Sequence, residues 1–335
     1  MLFKVGRSLA AALIVSLLIQ IQIATIGHAE LEEIESKVVF TSWLDDGNID
    51  IFVIEGDVKK EVRLTKILSG DYNPTWSPNG KKIAFVSTRK GGFLNIWVMN
   101  ADGTDQTKLT DGFWDNYPDW SPDGKYIAYQ HLRQELIDDP HARVKEKRYQ
   151  IKIIKANGRF IRTATAEGSI HPSWSPDGTQ IAFSWGEQSK PNQICVVDAF
   201  GSSWKQLTDD SVYKQFPTWS PDGTKIAYAG GSRIWVMNSN GENQKQVTWK
   251  GKDDFQFATD EHPTWSPDGG SIAFHATRGN GRLRIYVVNL TSGAIIPMRD
   301  IHGISNYQPD WYDPGQLSIS PAGRQITIWG KLKVR

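Results

Sequence analysis

Apolar residues in this chain fall into short runs in which large and small side chains alternate, and the runs are separated by clusters of Gly, Pro, Asn, Asp and Ser. Period-two alternation broken by turn chemistry predicts strands and hairpins. One set of runs reads Ile83-Ala-Phe85, Ile127-Ala-Tyr129, Ile181-Ala-Phe183, Ile226-Ala-Tyr228 and Ile272-Ala-Phe274. A second set, 8 to 24 residues further on, reads Ile96-Trp-Val-Met99, Ile151-Lys-Ile-Ile154, Ile194-Cys-Val-Val197, Ile234-Trp-Val-Met237 and Ile285-Tyr-Val-Val288. Strands of this composition are sandwiched between neighbouring sheets.

Each pair of runs follows the same heptapeptide. It starts as Pro74-Thr-Trp-Ser-Pro-Asn-Gly80 and returns at Pro118, Pro172, Pro217 and Pro263 as Pro-x-Trp-Ser-Pro-Asp-Gly, with a degenerate copy at Pro309-Asp-Trp-Tyr-Asp-Pro-Gly315. The motif tryptophans Trp76, Trp120, Trp174, Trp219, Trp265 and Trp311 are spaced 44, 54, 45, 46 and 46 residues apart. A period in the mid-forties with several short strands per unit is the mark of a β-propeller. Within a unit, Pro-x-Trp-Ser is strand a, Ser-Pro-Asp-Gly a hairpin turn, and the two apolar runs strands b and c. Strand d is a short Leu-Thr type segment at Leu109, Leu207 and Val247.

Ahead of the first heptapeptide, Val38-Val-Phe40, Ile49-Asp-Ile-Phe-Val53 and Val62-Arg-Leu-Thr65 supply strands b, c and d without strand a. If the segment around Trp311 pairs with Val38 to Phe40, the chain closes as an all-β ring of six four-stranded blades with no exposed sheet edge. Leu317-Ser-Ile-Ser320 and Ile326-Thr-Ile-Trp329 could instead begin a seventh blade.

Residues 1–29 have a different character. Lys4 and Arg7 precede a nearly unbroken apolar stretch from Ser8 to Ile26, and Gly27-His28-Ala29 ends in small residues, the layout of a secretory signal peptide cleaved after Ala29. An uncleaved anchor is the alternative, since the apolar stretch is nearly long enough to span a bilayer; Gln20 and Gln22 disfavour it. Cleavage leaves a short linker over 30–37 and one propeller domain over 38–335, exported and not stably inserted in the membrane. The whole chain has 38 Lys plus Arg against 37 Asp plus Glu, which gives no basic surface for nucleic acid. Its one cysteine, Cys195, excludes intrachain disulfides and cysteine-rich metal sites.

The run Trp-Ser-Pro-Asp-Gly, then Ile-Ala-Phe, then Ile-Trp-Val-Met resembles the WD40-like repeats of TolB-like β-propellers over residues 38 to about 315. The resemblance implies a six-bladed fold, a periplasmic location and a non-catalytic role in binding an envelope protein or peptide partner. The family's type member carries a further domain before its propeller, whereas only Glu30 to Lys37 lie between the expected cleavage point and the first strand here.

The six tryptophans suit packing between blades, because a buried Trp removes about 150–250 Å² from water. Asp123, Asp177, Asp222 and Asp268 sit where Asn79 substitutes once, so they are expected to stabilise turns. Residues that vary between units are better candidates for a site. All histidines after residue 29 fall in d–a segments or near the ends of strand b, which share one face of a propeller around the channel mouth: His131, His141, His171, His262, His275 and His302. Aromatic residues cluster there too. The candidate ligand-binding set is His131, His171, His262, His275, Trp114, Tyr117, Trp185, Phe216, Asp119 and Asp310. Rings, imidazoles and acids on one face suit a peptide segment or a glycan. No cofactor is expected. The alternative function is a carbohydrate-active lyase with His171 or His262 as base or as ligand to a divalent cation, a chemistry that propeller-fold oligogalacturonate lyases bring by analogy. The insertion at Gln134 to Arg148, which lengthens the third unit, reads as a solvated loop.

Overall fold

The computed structural model describes residues 37–55, 61–89, 91–132, 149–187, 190–249, 259–278, 282–298 and 305–312. The expected signal peptide and all but the last residue of the linker, the insertion at Gln134 to Arg148, His141, His302 and the strands considered for a seventh blade lie outside the described residues.

The described residues form six four-stranded antiparallel sheets. Blade 1 contains Lys37–Trp43, Ile49–Glu55 and Glu61–Arg63, and its missing strand comes from the far end of the chain, Ser305–Tyr312. In that junction Val38 faces Trp311 and Val39 faces Asp310, so the ring is closed by the pairing expected from the sequence. Strands a of blades 2 to 6 are Asp71–Trp76, Asp115–Trp120, Ser169–Trp174, Lys214–Trp219 and Asp260–Trp265. They begin three residues before the motif proline, earlier than the heptapeptide alone indicated, which moves several residues expected in loops into the innermost strand.

The repeated sequence features have local causes. In each turn the hydroxyl of the motif serine donates to the Asp or Asn two positions on and accepts a backbone N–H five positions on. Ser121 Oγ, for example, lies 2.7 Å from Asp123 Oδ1 and 2.9 Å from Tyr126 N. The turn ends in a left-handed residue, Gly124 at φ 68°, which a side chain would strain. The expected acids are thus turn groups. Just past strand d a threonine hydroxyl takes an N–H near the start of strand c. Thr65, Thr110, Thr165, Thr208 and Thr248 accept from Ile51, Ile96, Ile151, Ile194 and Ile234 at 2.9–3.0 Å. The Leu-Thr type residues therefore follow strands such as Thr107–Lys108 and Lys245–Gln246 and do not lie within them.

The core lies between blades. Each apolar cluster joins strands b and c of one blade to the motif tryptophan and strand b of the next, as Ala128, Ile151 and Ile153 do with Trp174, Ile181 and Phe183. Trp311 joins Phe40 and Phe52 to Ala273 and Ile285 across the closure. Trp76, Trp120, Trp174, Trp219 and Trp265 are all buried. At roughly 25 cal/mol per Å², each contributes several kcal/mol of gross burial energy. The blades are consequently held by side-chain packing, and the innermost strands are left to line the axis.

Candidate functional site

Every strand a carries the same irregularity. Its pairing with strand b skips two residues, as between Asn116 and Asp119 or between Glu261 and Thr264. The first skipped residue is the one before the motif proline: Asn73, Tyr117, His171, Phe216, His262 and Gln308, each with φ between 49° and 57°. A left-handed backbone is unfavourable for residues other than glycine, at about 1–3 kcal/mol each. Its recurrence in all six blades makes it a requirement of the fold, while the residue type at this position is free to vary. The bulge turns these six side chains onto the axis, where they form a collar around a cavity of about 130 Å³.

The collar rings touch one another. Centroids lie 4.4 Å apart for Tyr117 and His171, 4.0 Å for His171 and Phe216, and 3.5 Å for Phe216 and His262. His171 and His262 are 6.5 Å apart although a whole blade separates them, so the mouth is narrow. On the other side Asn73 Nδ2 donates to Asn116 Oδ1 at 2.5 Å, and Gln308 Oε1 accepts from Asn73 N at 3.1 Å and Thr41 Oγ1 at 3.0 Å. Several polar atoms of the collar have no partner among the described residues: Asn73 Oδ1, His171 Nδ1 and both nitrogens of His262. A buried polar group left without a hydrogen bond costs about 1–3 kcal/mol, so this cavity is built to receive water or a ligand. Burial pushes the imidazolium of His171 down to about 3, and burial together with His275 and His171 drives His262 well below its ordinary value. Both rings are neutral at physiological pH.

Two residues further along each strand lies a second ring of side chains, Thr75, Asp119, Ser173, Thr218, Thr264 and Asp310. This belt separates the collar cavity from a larger one of about 270 Å³ beneath it, lined by motif tryptophans and turn prolines. Burial raises the Asp119 carboxyl to about 7 and the Asp310 carboxyl to about 6, the backbone hydrogen bonds from Trp174 and Trp76 opposing the rise.

The structure thus gathers six of the ten candidate residues, Tyr117, His171, Phe216, His262, Asp119 and Asp310, around one cavity. His275 stands behind His262, with ring centroids 4.6 Å apart. The other three lie elsewhere. His131 is held by Asp115, Nδ1 to Oδ1 2.6 Å, outside the cavity. Trp185 packs 5.3 Å from Trp204 and donates its Nε1–H to Glu167 O. Trp114 sits on the rim, 41% exposed. Asn73 and Gln308 were absent from the candidate set, although both occupy the column before the motif proline in which Tyr117, His171, Phe216 and His262 were noticed.

Among the described residues, Glu261, His262 and His275 offer ligand atoms within 4.8 Å of one another, a spacing open to a metal ion. His275 Nδ1, however, accepts the Gln308 backbone N–H at 3.2 Å. This fixes the tautomer with its hydrogen on Nε2, which lies 3.7 Å from Glu261 Oε2. A metal-bound imidazole ordinarily donates its second nitrogen outward, the reverse of this arrangement.

Exposed apolar residues crowd the segments around this mouth: Trp43, Ile67, Leu68, Phe93, Trp114, Val212, Tyr213 and Trp249. Asp115 N donates to Leu94 O at 2.9 Å, which ties the segment entering blade 3 to the b–c turn of blade 2 on the same face.

A closed ring of six blades whose innermost strands frame a narrow axial channel defines a six-bladed β-propeller, here with a hydrogen-bonding collar at one mouth. The chain belongs to the TolB beta propeller domain family, whose model matches residues 35–151 and 141–328. It is 38% identical over 109 residues to the Tol-Pal system protein TolB of Gluconobacter oxydans, a stretch covering 32% of this chain and 23% of that protein. An uncharacterized protein of Agrobacterium fabrum is 28% identical over 144 residues, covering 41% of this chain and 47% of that protein. The matches therefore span less than half the length of these relatives. The crystal structure of TolB from Acinetobacter baumannii superposes with a TM-score of 0.67 at 20% identity, over 82% of this chain and 66% of that one.

Proposed function

We propose that this protein is an exported, periplasmic binding propeller that receives a protein or peptide partner at the collar mouth. The observation carrying this reading is the set of unpaired polar atoms of Asn73, His171 and His262, placed at the centre of a face whose rim exposes Trp43, Leu68, Trp114, Tyr213 and Trp249. Large apolar anchors around a small number of oriented polar groups are what peptide recognition uses. Family membership and the likeness to a Tol-Pal system protein support the envelope location and the binding role. Residues 1–29 have the character of the export signal that such a location requires.

The test is capture from envelope extract with the mature chain, in parallel with a variant carrying Trp114→Ala, Tyr117→Ala and His171→Ala. Proteins retained by the parent and lost by the variant support the reading. An unchanged set of captured proteins moves the binding surface away from the collar.

A further inference from the structure

Below the collar the channel holds two carboxylates with no lysine or arginine among the described residues beside them. Asp119 and Asp310 occupy the same position in strands a of blades 3 and 1, one blade apart, and both line the two axial cavities. Each uses one oxygen to take a tryptophan N–H from the following blade, Trp174 N to Asp119 Oδ2 at 2.6 Å and Trp76 N to Asp310 Oδ2 at 2.7 Å. Asp310 Oδ1 also accepts from Thr264 Oγ1 at 3.3 Å. No Lys or Arg is among the described residues lining either cavity. The other belt positions, Thr75, Ser173 and Thr218, add hydroxyl oxygens at the same level.

The approach to these oxygens is also shaped. Four rings, Tyr117, His171, Phe216 and His262, surround it. His171 and Asn73 are more than nine-tenths buried, and each has a side-chain atom without a partner among the described residues, Nδ1 and Oδ1 respectively. His262 adds two unpaired nitrogens. Because burial keeps both imidazoles neutral, they accept hydrogen bonds and do not repel a positive charge. A ring of aromatic faces attracts a cation, and a pair of carboxylates behind it completes a site for one.

We infer that the channel neck takes a primary ammonium on an alkyl stem, the lysine side chain of the bound partner, with the stem inside the collar and the ammonium on Asp119 and Asp310. The inference rests on the partner-binding reading above. The distance from collar to belt is two residues of strand, about 7 Å, a depth that the four-carbon stem of lysine spans. A compact ammonium with three donors also suits a narrow mouth, with His171 and His262 centroids 6.5 Å apart, better than a broad guanidinium does.

The probe is Nα-acetyl-lysine methylamide, with the norleucine analogue as its uncharged control, titrated into the mature protein labelled at the histidine rings. Saturable shifts of the His171 and His262 resonances with the lysine compound, absent with norleucine, are expected. In Asp119→Asn/Asp310→Asn, whose amide oxygens can still accept the Trp174 and Trp76 N–H groups, affinity should fall by about tenfold or more. Equal binding of the norleucine analogue, or undiminished binding by the double variant, overturns the site. So does millimolar calcium chloride that shifts the same resonances and blocks the lysine compound, since the carboxylates would then serve a metal ion. A partner captured equally by the parent and the double Asn variant refutes the ammonium site alone, whereas capture indifferent to the collar variant refutes the mouth reading beneath it.

Discussion

Asp119 gives this propeller an unusual response to pH. Its carboxyl is raised from the ordinary 3.8 to about 7 by burial in the channel, and the nearby charge of Asp310 adds to the rise. Below about pH 4 the group is protonated in both folded and unfolded chains. Between about pH 4 and pH 7 the unfolded chain has lost its proton and the folded chain keeps it, so the folded state binds more protons and stability falls as pH rises. Above pH 7 both forms are ionised and the loss is complete. A rise from 3.8 to about 7 corresponds to roughly 4 kcal/mol, and that from 3.8 to about 6 at Asp310 to roughly 3 kcal/mol. Asparagine imitates the protonated acid and keeps an oxygen for the Trp174 N–H. Urea unfolding of the parent and of Asp119→Asn across this range should therefore show the variant gaining on the parent by about 4 kcal/mol between about pH 4 and pH 8. In Asp310→Asn, the remaining carboxyl of Asp119 should titrate lower, because a like charge has gone. A stability difference between parent and Asp119→Asn that does not change with pH would refute the placement of this carboxyl in a dry channel.

Two further outcomes test the scaffold. Thr248→Val removes the acceptor for Ile234 N, at 2.9 Å, and the hydroxyl that donates to buried Asp260 at 2.6 Å, so it should cost about 1–3 kcal/mol in chemical denaturation. Ending the chain before Ser305 removes the strand that pairs with Lys37–Trp43, together with the Asp310 carboxylate that holds Trp76 N. Calorimetry should show a broadened transition at lower temperature in place of a single cooperative one.

The fold was legible because packing repeats. Each Trp-Ser-Pro-Asp-Gly copy solves the same problem of burying one blade on the next, and the unpaired strands at the two ends of the array indicated the closure. The collar was legible only in part. Tyr117, His171, Phe216 and His262 drew notice as rings in a polar context, while Asn73 and Gln308 did not, since one amide in a turn-rich sequence carries no chemical flag. What unites the six is a left-handed backbone before proline, and alternation along a strand cannot reveal it. The column just before each heptapeptide contains the collar, and the one variable column within it, after the proline, contains Thr75, Ser173, Thr218 and Thr264 of the belt. Trp185 and His131 were misleading for a related reason. Position near a mouth does not decide whether a side chain turns to the axis or back between the sheets.

The junction of Val38 with Trp311 also sets a timetable for folding. The first blade stays one strand short until the last of the described residues has been made, so an emerging polypeptide cannot lock into its final shape while it is still on the ribosome or threading through a membrane pore. Were the chain exported as proposed above, this delay would let it cross a membrane unfolded and close its ring afterwards.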